Sequence, residues 1–192
     1  MSIYKFSRRA IFGLVLSILA GISAYAQSTI LVVDTQRVIR ESDVGKHIAR
    51  QLETISKSMD AEFKATATPY QTKAKSLQAQ LKGKTAETLR SDTGLQAQFR
   101  SLKADEAKIQ EDLYYKQNEL KITEAKAIEK VNVRLREILK TIVAERNADV
   151  VLERSLVIYG DPADVTDTVV SRLNTQLKTV PVTRERLPRK AR

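Results

Sequence analysis

The chain has 192 residues, no cysteine, one histidine (His47) and a formal net charge of +10. That length implies one domain with room for a long excursion. The missing thiols exclude disulfide staples, and a lone histidine excludes a histidine-rich metal site, so neither can supply stability to the fold.

Residues 1–26 read as an export signal and are set aside from the fold. Lys5, Arg8 and Arg9 form a basic start, "AIFGLVLSILAGI" an apolar middle, and "AYA" at residues 24–26 a small-x-small site, with cleavage expected after Ala26. The apolar run falls short of the about 20 residues that span a bilayer, which favours a cleaved signal over a retained anchor. "SRRAIF" at residues 7–12 is faintly like a twin-arginine signal, but the strongly apolar middle fits the general secretory route at least as well. Without this segment 30 Lys and Arg face 23 Asp and Glu, a net +7. The excess suits polyanionic partners, among them acidic unfolded chains and anionic lipid or lipopolysaccharide. Nucleic acid is the poorest of these for an exported protein.

The first structural element is Ile30–Val33, an apolar, mostly β-branched run that reads as a strand buried on both faces. A lone strand is not stable, and the next comparable runs, "VVLE" (Val150–Glu153) and "LVIY" (156–159), lie more than a hundred residues on. Those two are expected as strands joined in a hairpin through Arg154 and Ser155.

Between them, apolar residues at 48, 52, 55, 59 and 63, then 70, 74, 77 and 81, trace a narrow helical seam. "KGKTAETLRSDTG", residues 82–94, interrupts it with two glycines and several turn formers. The seam resumes at Leu95, Phe99, Leu102, Ile109, Leu113 and Leu120, and a second run follows at Ile128, Val131, Leu135, Ile138 and Ile142. The pattern predicts an antiparallel coiled-coil hairpin over 46–147 with its tip near 82–94, an arm roughly 50–75 Å long. Pro69 is expected to kink or break the first limb near residues 67–70, as an incidental irregularity or a flex point.

After a turn at Gly160, Asp161 and Pro162, either Asp164 or Thr166 is a candidate N-cap. Val165, Val169, Val170, Leu173 and Leu177 then predict a short amphipathic helix covering the sheet. Residues 181–192, "PVTRERLPRKAR", have two prolines, five basic side chains and no apolar period, and read as a disordered basic tail. The fold class is thus α+β: a helical hairpin on a small β body of residues 27–45 and 148–180 with a short C-terminal helix. A body of about fifty residues without disulfide or metal is expected to oligomerise.

No catalytic constellation stands out, and the chain is not expected to be an enzyme. His47 has no second histidine or thiol to work with and reads as a helix-surface or packing residue. Gly83-Lys84-Thr85 resembles the end of a phosphate-binding loop, but Gln78 stands where that motif needs glycine and no strand precedes it. Tyr114 and Tyr115 read as packing or seam-edge residues. No catalytic, cofactor or metal residue is assigned, and no cofactor is expected. Residues 64–108 hold nine basic and four acidic side chains, so the outer arm is about +5. Several such arms would enclose a positive space able to hold a non-native chain by many weak contacts.

In this order the residues resemble the Skp (OmpH-like) periplasmic chaperone family. "ILVVDTQRVIRESDVGKHIARQLE" is similar to its opening, through Val33, Asp34, Gln36, Val38, Ser42, Gly45 and Lys46. "IYGDPADVTDTVVSRLN" is similar to its close, through Tyr159, Asp164, Val165, Thr166 and Leu173. The resemblance implies a periplasmic homotrimer with three helical tentacles around a cavity, holding unfolded outer-membrane proteins without ATP. Pro69 and the tail depart from the pattern. The middle of the chain supports no assignment of individual client-binding residues. The alternatives are an envelope adaptor or structural coiled coil binding one folded partner, and a binder of lipopolysaccharide or nucleic acid. Gly45 has a local reason as well: without a side chain it allows close backbone approach where the arm leaves the body.

Overall fold

The computed structural model describes residues 28–189, so the expected export signal and residues 190–192 of the tail lie outside the described residues. Strand β1 (Ile30–Val33) is central in a three-stranded parallel sheet of order β2-β1-β3. β2 (Val150–Glu153) pairs with it from Ile30 opposite Val150 to Val33 opposite Glu153. On the other side β3 (Ala163–Asp164) sets Leu31 opposite Ala163 and Val32 opposite Asp164. Parallel neighbours cannot be joined by a tight turn and need a crossover. Here the whole arm is the crossover from β1 to β2, which is why two strands of one sheet stand so far apart in sequence. With both edges taken, Leu31, Val32 and Val33 are 1%, 1% and 3% exposed.

Two short-range devices launch the arm. The Asp34 carboxylate accepts from the Arg37 N–H at 2.7 Å and caps α1 (Thr35–Glu41). Ser42 then closes α1 through its own N–H to the Val38 carbonyl, and its hydroxyl accepts from the Gly45 N–H at 3.2 Å to start α2 (Asp43–Leu81). A Cβ on Gly45 would sit 1.6 Å from the Ile39 carbonyl oxygen, so only glycine permits α1 to fold back this closely on α2.

α2 has 39 residues, and at about 1.5 Å per residue it extends about 58 Å. Pro69 lies inside it, and the helix continues through residues 67–70 without the break that the proline suggested. Gly83 at φ +80° turns the chain. Within the expected tip over 82–94, Thr85 caps a short helix, α3 (Ala86–Ser91). Asp92 accepts from the Leu95 N–H at 3.0 Å to start α4 (Thr93–Arg146), so Gly94 falls in a helical first turn. Lys73 pairs with Asp105 at 2.6 Å and Glu62 with Lys116 at 2.7 Å. As numbers fall along α2 they rise along α4, so the limbs run antiparallel. Asn147 ends α4 in the left-handed region at φ 47°, a conformation asparagine tolerates.

One core unites the root of the arm with the body. Ile48 of α2 and Val131, Leu135, Ile138 and Ile142 of α4 pack with Leu31, Val33, Val38 and Val44. α5 (Thr166–Gln176) closes it with Val165, Val169 and Leu173, all fully buried at the predicted helical spacing. Neither candidate is the N-cap: Val165 holds that position without a side-chain bond, and Asp164, one residue earlier, accepts from the Thr166 N–H at 2.8 Å.

Three expectations are corrected. Residues 156–159 are not a strand: Arg154–Leu156 form a single 3-10 turn, and the third strand is Ala163–Asp164 on the opposite side of β1. A β-rich sequence becomes a strand only where a partner edge receives it. Phe99 and Leu113, expected in the seam, are 48% and 42% exposed; beside Leu113, α4 instead turns Asp112 and Lys116 inward. Finally, residues 181–189 do not form a free tail. They have no helix or strand of their own, yet they are seated on both limbs by ion pairs and main-chain hydrogen bonds.

Candidate functional site

The two sequence motifs at the ends of the body meet in space. The Asp34 N–H donates to the Thr166 hydroxyl at 2.9 Å, and the Val165 N–H donates to the Val32 carbonyl at 2.9 Å. Arg37 pairs with Glu41 at 3.1 Å and also with Asp167, tying α1 to α5. The Asp43 N–H donates to the Asn174 side-chain oxygen at 2.7 Å. These contacts hold the body together around the arm's root. His47 is half-buried on α2. Among the described residues, no group of three or more His, Cys, Asp or Glu side chains could hold a metal ion. Gly83-Lys84-Thr85 is the tip turn, with the Thr85 hydroxyl spent on the Thr88 N–H at 3.3 Å.

Three surfaces remain as candidates. The first is the body's outer edge, where Leu156, Ile158 and Tyr159 are 68%, 100% and 98% exposed. The free edge of β2 adds Val150. Such apolar exposure beside an unpaired strand edge marks an interaction surface.

The second is the distal arm. Lys73 and Lys108 share Asp105, and Lys84 meets Asp92. Lys64, Lys75, Lys82, Arg90, Arg100 and Lys103 form no ion pair among the described residues. Between these cations run open depressions. One of about 380 Å³ is lined by Thr72, Ser76, Leu77, Gln98, Ser101 and Leu102. Another, beside it, is lined by Phe99, Arg100, Leu102, Lys103 and Glu106. Each is shallow and amphipathic, with no set of converging polar groups to select one ligand.

The third surface escaped the reading of the sequence. Asp112, Lys116, Glu119 and Thr123 are buried on α4, where a hydrophobic seam was expected. They continue the phase of Ala127 and Val131 back along the helix at steps of three and four, which was the available signal. Their partners come from α2 and from the C-terminal segment. Glu62 accepts from Lys116 at 2.7 Å and from Arg184 at 2.8 Å. Hydrogen bonds first from Lys116 and then from Arg184 lower the Glu62 carboxyl from 4.5 to about 2. Tyr114 and Tyr115 meet edge to face at 5.9 Å, and Tyr115 also underlies the Arg189 guanidinium at 5.3 Å. Tyr114 itself stays 64% exposed.

A small parallel sheet interrupted by a long two-limbed arm defines an arm-bearing α+β protein with binding surfaces and no catalytic centre among the described residues. The OmpH-like outer membrane protein family model matches residues 29–173, and the chain belongs to that family. It is a family of chaperones rather than enzymes. A solved structure from Caulobacter crescentus CB15, proposed to be an outer membrane chaperone (OmpH-like), is similar at 28% identity and a TM-score of 0.66. The likeness covers 83% of this chain and 92% of that one. No curated protein matches the sequence. Among the described residues, no helix is long and apolar enough to cross a membrane.

Proposed function

We propose that the chain is an ATP-independent periplasmic holdase that keeps unfolded outer-membrane proteins from aggregating in a space between helical arms. The observation that carries this reading is the distal arm of an OmpH-like chain. It combines an excess of cations with exposed Phe99 and shallow amphipathic depressions. A surface of this kind binds many sequences weakly and none tightly, and needs no nucleotide to do so. In the proposed assembly three copies join through residues 156–159 and the free edge of β2, so that three coiled-coil hairpins surround one client. The signal at residues 1–26 would deliver the chain to the periplasm.

Purified protein lacking residues 1–26 is expected to suppress aggregation of a urea-diluted outer-membrane barrel at stoichiometric ratio without nucleotide. Failure with several barrels would overturn the proposal. The basic arm also fits a second reading, an envelope adaptor bound to one folded partner or to anionic lipopolysaccharide. Binding that collapses steeply with salt and lacks an apolar component would favour lipopolysaccharide. Recovery of one folded stoichiometric partner, with no affinity for unfolded chains, would favour the adaptor.

A further inference from the structure

The C-terminal segment lies beyond residue 173, where the family match ends, and it occupies a built slot. Val180, 6% exposed, joins the arm's core, and the Lys130 ammonium donates to the Pro181 carbonyl at 3.0 Å. From there the segment runs extended across both limbs. Its Glu185 N–H donates to the Thr123 hydroxyl at 2.9 Å, and its Leu187 N–H donates to the Glu119 carboxylate at 3.2 Å. Arg184 forks between Glu119 on α4 and Glu62 on α2, 2.8 Å from each. Arg189 reaches Asp112 at 2.7 Å while lying over Tyr115.

These contacts divide as peptide recognition does. Two fixed oxygens read main-chain amides, and three carboxylates receive two guanidinium forks five residues apart. The electrostatics point the same way. Where the two arginines seat, Glu62, Asp112 and Glu119 stand against Lys116, while Lys126 and Lys130 meet Glu185 and the Pro181 carbonyl nearer the body. Three carboxylates against one ammonium give that end of the slot an excess of negative charge, which suits a cationic occupant. A hydrophobic seam at these four α4 positions would have joined the limbs without one.

We propose that this slot recognises extended, arginine-bearing polypeptide and that residues 180–189 are its tethered occupant, displaced when a client segment of the same chemistry arrives. The proposal rests on the holdase reading and adds a class of client segment to it. Peptide binding is measured apart from aggregation suppression, so each can fail without the other.

The probe is a fluorescein-labelled peptide of residues 180–192, followed by anisotropy against the full chain lacking residues 1–26. The Arg184→Ser/Arg189→Ser variant, whose own segment no longer competes at the high effective concentration of a tether, is expected to bind the peptide at least tenfold tighter than the unaltered chain. Adding Glu119→Gln should weaken that binding at least tenfold. Glu62→Gln, at a more exposed position, should weaken it in the same direction, with circular dichroism confirming intact helix. An unrelated extended peptide with two arginines at the same spacing should displace the probe, and its arginine-to-glutamate counterpart should not. No gain in the double variant, binding indifferent to both Glu119→Gln and Glu62→Gln, or no displacement by the unrelated arginine peptide would each overturn the proposal.

Discussion

At Gly45 the backbone of α1 approaches so closely that an added methyl would overlap the Ile39 carbonyl oxygen at 1.6 Å. Rotamer change cannot relieve a clash made by Cβ itself, so Gly45→Ala is expected to cost about 3 kcal/mol or more in a urea titration, at the severe end of overpacking. Glu62 offers a second test. Its carboxyl is depressed from 4.5 to about 2 by hydrogen bonds from Lys116 and then Arg184. A depressed carboxyl contributes stability in full above its unfolded value and loses it as pH falls through the folded one. The hydrogen-exchange protection factors of the Glu185 and Leu187 amides, corrected for the intrinsic rate at each pH, should therefore hold at pH 5 and fall progressively between about 4.5 and 2. Because the Glu62 side chain is 43% exposed, solvent screening keeps the effect modest. Gly45 was legible as a point of close approach from its place between two helical stretches. The buried role of Asp112, Lys116, Glu119 and Thr123 was not, because charged residues on a helix default to solvent, and the partner that buries them is distant in sequence.

Along the arm, packing is uneven. Near the body the facing limbs bury Ile48, Ala127, Val131, Leu135, Ile138 and Ile142, whereas toward the tip Leu77 and Leu95 are the apolar side chains as well covered among the described residues. Ile138→Ala, at a site 2% exposed, is accordingly expected to cost about 2–5 kcal/mol. Leu102→Ala, half-buried in the distal limb, should cost about 1 kcal/mol. Urea midpoints would compare the two. Both long helices were legible in the apolar spacing, as was the face of α5, since these depend on local periodicity. Strand order was less so. The run at 156–159 has strand composition, but β1 has only two edges, and β2 and the two-residue β3 occupy them. The pairing that decides a strand is non-local and leaves no mark within the segment itself.

For the whole molecule, the body is a small sheet with three short helical pieces, and much of its burial comes from the root of the arm. Its outer edge still carries Leu156, Ile158 and Tyr159 in water. In the proposed assembly this edge is the contact between copies, so Ile158→Asp/Tyr159→Asp should shift the sedimenting species toward monomer while helical content at low temperature changes little. The seated C-terminal segment changes the expected arm as well, since Arg184 joins the limbs midway and leaves the outer half free to adapt. The most direct test is sedimentation velocity of the chain mixed with a urea-diluted outer-membrane barrel, without nucleotide. A soluble complex of three copies with one client is predicted. A folded chain that stays monomeric while the client pellets alone would contradict it.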